Sequence, residues 1–286
     1  MPAPDPIEDA IDTKRFPLDT PDSAVLSRVV EAAHEDLRRG GCAVLRGFLR
    51  PDAVQRLAAQ AQGVLGEAHV NDILSNPYST SGDPSLPPDH PVNVFMERTN
   101  AFVPKAAIPE HHLVRRLYHC DAFRVFVARC LERPAIHEYA DPLAALVLNL
   151  LRPGAQHPWH YDTNEFIVST LVQAAEAGGE FEYCPQIRSP QGESYERVGR
   201  VLRDEDRTEV RRLQLQPGDL QIFRGRFSLH RVTRVAGSRP RITAIFAYAE
   251  TPGMVGKVER TRQLFGRVTA DHLAAARQPR RDALVD

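Results

Sequence analysis

Apolar positions in this chain change their period along its length, and each change predicts a change of structure. From Asp22 to Arg39, Val25, Leu26, Val29, Val30, Ala33 and Leu37 recur every three to four residues, the spacing that lines one face of a helix, and Gly40-Gly41 supplies a stop. Cys42 to Phe48 then runs apolar and predicts a short strand. Pro51-Asp52 opens a second helix whose stripe uses Val54, Leu57, Ala58 and Val64, with proline where its missing N–H is tolerated. Ser75 to Pro91 holds five prolines among Ser, Gly and Asp, which predicts a long loop and a candidate lid. Residues 109–132 return to helical spacing and predict two helices broken near His119 to Asp121, with Asp121 as the second N-cap.

From Ala144 to Ala249 the period falls to two or becomes continuous. The runs are Ala145 to Leu151, Phe166 to Gln173, Phe181 to Tyr183, Val210 to Leu215, Leu220 to Phe223 and Arg241 to Tyr248, separated by Pro and Gly. Many short strands after a helical lead-in predict an α+β fold. Its core is a double-stranded β-helix, jelly-roll or cupin-like, with the N-terminal helices packed on one sheet. Met1 to Thr20, with four prolines and no periodicity, predicts a surface or disordered arm. The expected organisation is that arm, then a single domain over 21–286: helical lead-in 21–140, jelly-roll core 141–250 and C-terminal extension 251–286. Within the extension, the Ala and Leu content predicts one helix near Ala270 to Arg277.

Composition excludes more than it identifies. Hydrophobic residues make up 42% of the 286, enough for a sizeable core. Lys and Arg total 36 against 37 for Asp and Glu, so no global field draws the chain to nucleic acid or an anionic bilayer. No run approaches the roughly 18 consecutive apolar residues of a membrane span, and the acidic, Pro-rich start lacks a signal peptide's layout, so a cytoplasmic protein is expected. Cys42, Cys120, Cys130 and Cys184 form no CxxC pair and read as reduced packing residues.

The candidate chemistry lies in the strand-rich part. His160 and Asp162 stand two apart, so on an extended backbone their side chains leave the same face and can converge on one ion. His230 follows the Leu220 to Phe223 run, where a neighbouring strand can return it to that face. Two imidazoles and one carboxylate leave three octahedral positions open, which suits non-haem Fe(II) binding an organic cosubstrate and O2; a zinc or manganese cupin is the alternative. Eleven residues past His230, Arg241 shares a strand face with Thr243, and together they can hold a carboxylate. A structural ion pair for Arg241, or Arg239 as the carboxylate binder, are the competing readings.

An HxD, a distant His and an Arg-x-Thr shortly after it resemble the Fe(II)/2-oxoglutarate-dependent oxygenases. Trp159 to Asn164, Gly178 to Tyr183, Phe223 to Thr233 and Gly237 to Arg241 look more narrowly like the branch containing free-amino-acid hydroxylases and lysine radical halogenases, over about residues 140–265. The resemblance implies His160, Asp162 and His230 as iron ligands, and Arg241 as partner of the distal 2-oxoglutarate carboxylate. It further implies Fe(II), 2-oxoglutarate and O2 as cofactors, with release of succinate and CO2. Halogenating members replace the ligand carboxylate by a small residue. Here Asp162 fills that position, so the implied outcome is hydroxylation of an aliphatic carbon in a free amino acid or similar small zwitterion. A non-catalytic sensor of metal or 2-oxoglutarate, and a hydroxylase of a peptide or carrier-bound amino acid, are the alternatives.

Around this set, His157 is either a polar wall of the substrate pocket or a cap for the Pro153-Gly154 turn. Asn149, on a predicted core strand, is a cosubstrate contact or a satisfied core amide. Arg98 and Asn100, past the Pro-rich loop, are candidates for clasping a substrate carboxylate, against the alternative of solvated loop residues. Trp159 is expected to pack behind the metal strand. Glu180 and Glu182 are not a catalytic pair, because two carboxyls on one strand do not face each other across a cleft. The charged run Arg203 to Arg212 predicts a solvated hairpin.

Overall fold

The structure, a computed structural model, describes residues 7–275. Two antiparallel sheets face each other. The larger runs, in spatial order, Cys42–Leu45, Leu220–Phe223, Ile167–Gln173, Arg241–Phe246, Leu146–Leu151, Ala101–Pro104 and His69–Val70. The smaller runs Arg211–Leu213, Phe181–Cys184, Leu229–Val232 and His157–His160. From Leu146 onward the chain mostly crosses to the opposite sheet between successive strands, the winding of a jelly roll.

The continuous apolar runs have a simple cause: the large sheet is buried on both faces. Leu146, Leu148, Leu150, Val168, Ile222, Ile242, Ala244 and Phe246 join the main hydrophobic core with the helices. Their alternates, among them Val147, Asn149, Ser169, Gln221, Arg241 and Thr243, line a cavity between the sheets. A period of two is present, but polar residues mark it only where the inner face carries chemistry.

Helices cover the outer face. α1 (Ala24–Gly40) starts at Ser23, whose Oγ accepts from the Leu26 N–H, and ends at Gly41 with φ 67°, a left-handed position that glycine takes without strain. α2 (Pro51–Gln62) carries proline in its first turn. α3 (Leu113–Tyr118) and α4 (Asp121–Cys130) break where expected, although the N-cap of α4 is Cys120 and Asp121 is the first helical residue. There the Asp121 carboxylate still faces the positive end of the helix.

Several expectations need correction. Residues 7–20 are not a free arm: Ala10, Ile11, Phe16 and Leu18 are buried, and Phe16 packs on Phe48 with ring centroids 5.2 Å apart. Residues 1–6 lie outside the described residues. The Pro-rich loop is cross-braced at its base. Asn76 accepts from the Tyr78 and Thr80 amides and donates to the Val92 carbonyl, while Asn93 donates to the carbonyls of Asp83 and Leu86. The charged run after Arg203 is less a hairpin than a helix end, a turn and a short edge strand. α5 (Tyr195–Leu202) precedes it, and only Arg211–Leu213 pairs with a neighbour. Glu182 is buried and held by Arg207, Arg212 and Arg231 on the face away from the cavity, a structural role.

The extension beyond Glu250 folds back over the cavity as α6 (Val258–Phe265) and α7 (Ala270–Ala275); the predicted helix ran to Arg277, and its last two residues lie outside the described ones. Asp141 fastens the extension. Its Oδ1 accepts from the Leu143 and Ala144 amides, and its Oδ2 accepts from Gly256 N–H and lies 2.8 Å from His272 Nε2. Among the described residues, no helix is long and apolar enough to cross a membrane.

Candidate metal centre

His160 and His230 sit opposite each other on adjacent strands of the small sheet, with ring centroids 4.0 Å apart. Asp162 follows in the loop after the first of these strands, tied back by its N–H donating to the Gly225 carbonyl. Its Oδ1 lies 3.9 Å from His160 Nε2 and its Oδ2 3.4 Å from His230 Nε2. Each separation is shorter than the roughly 4.2 Å that two metal–ligand bonds of ~2.1 Å can span. The three ligand atoms all lie within 4.8 Å of one another.

The hydrogen bonds of the rings settle which nitrogens face inward. His160 Nδ1 is 2.7 Å from the Pro158 carbonyl and His230 Nδ1 is 2.9 Å from the Ser228 carbonyl. A carbonyl only accepts, so Nδ1 carries the proton in both and the Nε2 lone pairs are free to bind metal. Burial, with help from His230 and Arg98, holds His160 well below the ordinary histidine range, so the ring is neutral as a ligand must be. Gly225 makes the room: a Cβ there would come 1.8 Å from Asp162 Oδ2.

A register shift between the two strands pairs Val232 with His157 and His230 with His160, so three steps along one strand face two steps along the other. The bulge turns both histidines to the cavity. Their rings stack at 3.7 Å and 13°, and His157 Nε2 is buried without a hydrogen-bond partner. His157 therefore lies on the cavity wall, away from any role as a turn cap.

Across the cavity, Arg241 is buried and donates from Nη1 to Thr243 Oγ1. Burial pushes its pKa down to about 10, and among the described residues no acid pairs with it. Gly179, at φ 63°, lets the chain pass beside it; a Cβ there would sit 3.2 Å from Arg241 Cδ. Arg239 is spent in the preceding turn, donating to the Ala174 and Ala175 carbonyls. Asn149 pairs in register with Thr243 and accepts from Asn100 Nδ2 at 2.9 Å. Asn100 Oδ1 accepts in turn from Arg98 Nε at 3.0 Å. Arg98 is not a solvated loop residue. It ends the strand Met96–Arg98, is 1% exposed, and leaves Nη1 and Nη2 without hydrogen-bond partners. Asn100 does not line the cavity; it stands behind Arg98 and fixes its plane.

His157, His160, Asp162, His230, Asn149, Arg241, Thr243 and Arg98 thus share one cavity. A mixed imidazole–carboxylate donor set facing the buried Arg241 guanidinium, which pairs with no acid among the described residues, fits a divalent ion carrying a carboxylate-bearing cosubstrate. Sequence patterning misses two contributors. Gly225 carries no signal without knowing what lies opposite it. The α6 wall, with Arg260, Thr261, Leu264 and Phe265, was signalled only by a spacing of three to four residues over two turns.

The sequence profile of the Halogenase D family matches residues 88–265. No curated protein matches the chain in sequence. Among solved structures, the chain is similar to a 2OG-Fe(II) oxygenase family oxidoreductase from Burkholderia pseudomallei, at 12% identity and TM-score 0.51, covering 78% of this chain and 91% of that one. It is similar to AviO1 from Streptomyces viridochromogenes Tue57 at 21% identity and TM-score 0.52, covering 78% and 95%. It is also similar to the epimerase SnoN in complex with Fe3+, alpha ketoglutarate and nogalamycin RO, at 14% identity and TM-score 0.54, covering 78% and 84%. At these identities the likeness is one of fold.

Proposed function

The chain belongs to the Halogenase D family, and from that premise we propose that it is a non-haem Fe(II)/2-oxoglutarate-dependent dioxygenase. Its reaction is hydroxylation of an unactivated aliphatic carbon in an amino acid or similar small carboxylate-bearing molecule. The observation that carries this reading is the meeting, in one buried cavity, of the His160–Asp162–His230 cluster with a guanidinium that has no acid partner. Bound Fe(II) and 2-oxoglutarate supply the oxidising chemistry, with O2 consumed and succinate and CO2 released.

The chain's own residues hold and orient. His160 and His230 present Nε2 atoms whose direction is fixed by their Nδ1–carbonyl bonds, and Asp162 adds a carboxylate. Arg241 and Thr243 receive the distal carboxylate of the cosubstrate, with Asn149 beside them. Arg98, its plane set through Asn100, offers two parallel N–H donors to a substrate carboxylate, and His157 Nε2 offers one more polar contact. Phe102, Val147 and Ile245 supply apolar wall around these polar groups. Asp162 occupies the position that halogenating relatives give to a small residue, so hydroxyl transfer follows rather than halide transfer.

Purified protein with Fe(II), ascorbate, 2-oxoglutarate and chloride, offered a panel of amino acids and related acids, is expected to release succinate and give a product heavier by one oxygen. A chlorinated product as the main outcome would contradict hydroxylation. Absence of succinate with every candidate, from protein shown to hold iron, would contradict the enzyme.

A further inference from the structure

The charges around the cavity do not balance, and the imbalance constrains the substrate. Arg98 uses only Nε, on Asn100, while Nη1 and Nη2 are buried and unpartnered. Arg260, on α6, lines the same cavity and sits near enough to add to burial in lowering the basicity of Arg98. Arg241 is a third cation. Among the described residues that line the cavity, the one acidic side chain is Asp162, which faces His160 and His230.

Ferrous iron, the Asp162 carboxylate, the two carboxylates of 2-oxoglutarate and Arg241 together sum to zero charge. The guanidinium of Arg98 is then left over in a site of low polarity, where an uncompensated cation is costly. A substrate carboxylate in bidentate contact answers it. A substrate ammonium group meets the opposite situation: Arg98 and Arg260 near by and, among the described residues that line the cavity, no second carboxylate to receive it.

We infer that the site selects a net-anionic small molecule, with one carboxylate on Arg98, a hydrocarbon segment along Phe102, Leu264 and Phe265, and no cationic side chain. Acidic amino acids and N-acylated amino acids have this chemistry; lysine and ornithine do not. The inference rests on the oxygenase reading for the charges of iron and cosubstrate.

Calorimetric titration under anaerobic conditions tests it, on protein loaded with Fe(II) and 2-oxoglutarate. The panel holds L-glutamate, L-2-aminoadipate and N-acetyl-L-leucine against L-leucine, L-lysine and L-ornithine. At least one net-anionic member is expected to bind ten times more tightly than leucine, with lysine and ornithine weaker still. Arg98→Met is expected to weaken that anion tenfold or more, with iron content and 2-oxoglutarate affinity serving as the check that the variant is folded. Arg260→Glu, at a more exposed position, is expected to narrow the gap between the anion and lysine. Tighter binding of lysine or ornithine than of every anion overturns the inference, as does failure of all three anions to bind, or an anion affinity unmoved by both substitutions. Failure of wild-type protein to bind Fe(II) or 2-oxoglutarate would instead remove the oxygenase reading. The same panel titrated into metal-free protein still reads the charge preference at Arg98.

Discussion

The place of the Asp162 carboxylate beside His160 and His230 depends on a residue with no side chain. Gly225 lies against that carboxylate, and a single added methyl would overlap Oδ2 at 1.8 Å. Gly225→Ala is therefore expected to swing the carboxylate away and lower iron affinity by about ten- to a hundredfold, the range typical of residues that support metal ligands. Iron titration of the purified variant checks this, and unchanged affinity would show that Asp162 does not depend on this packing. Asp162→Gly acts on the ligand itself: most hydroxylation is expected to be lost while the two histidines retain iron, read as product yield beside metal content. At this scale the sequence was informative where chemistry follows local spacing, as in the HxD of His160 and Asp162 and the Arg-x-Thr of Arg241 and Thr243. It left Arg98 open between a carboxylate clasp and a solvated loop residue, because contacts with Phe102 and Asn100, and through Asn100 with Asn149, bury it in a way that periodicity does not reveal.

Elements set how these residues are presented. The bulge opposite Val232 lets His157 and His160, three apart, share a face that a regular strand would have divided between them. At the other end of the site, α6 forms part of the wall, and the Asp141–His272 contact, buried at 0% side-chain exposure on both sides, ties down the segment that follows it. His272→Ala leaves the Asp141 carboxylate with backbone donors alone and opens a cavity beneath α7. A loss of about 2–3 kcal/mol of stability is expected from the broken buried contact. Hydrogen exchange should quicken at residues 256–265 and leave the His160 and His230 strands unaffected. Uniform loss of protection across the molecule would contradict a local latch. The α1 to α4 lead-in was legible from periodicity and stop signals. α5 and α6 were not, because eight residues give barely two turns of period and both lie in charge-rich sequence.

For the whole molecule, the site spans the two facing sheets: the proposed iron ligands stand on or beside the small sheet, and Arg241 on the large one. Iron and cosubstrate together should then bridge the sheets and raise stability by mass action, by about 2.7 kcal/mol at a hundredfold excess over Kd. A thermal transition that rises with Fe(II) and rises again with 2-oxoglutarate would show it, and chelation should reverse both steps. The jelly-roll class was legible because the shift from period 3.6 to period two is a property of the chain alone. The strand order was not, since pairings such as Arg241–Phe246 with Ile167–Gln173 join distant segments.

The most direct measurement is anaerobic calorimetry of Fe(II) and then 2-oxoglutarate binding, in wild-type protein, in Arg241→Met and in a His160→Ala/His230→Ala double variant. One iron per chain is expected in wild type, followed by one 2-oxoglutarate. Arg241→Met should keep the iron and lose at least tenfold in 2-oxoglutarate affinity, and the double variant should lose both. Iron and 2-oxoglutarate binding undiminished in the double variant would contradict the metal centre at its foundation.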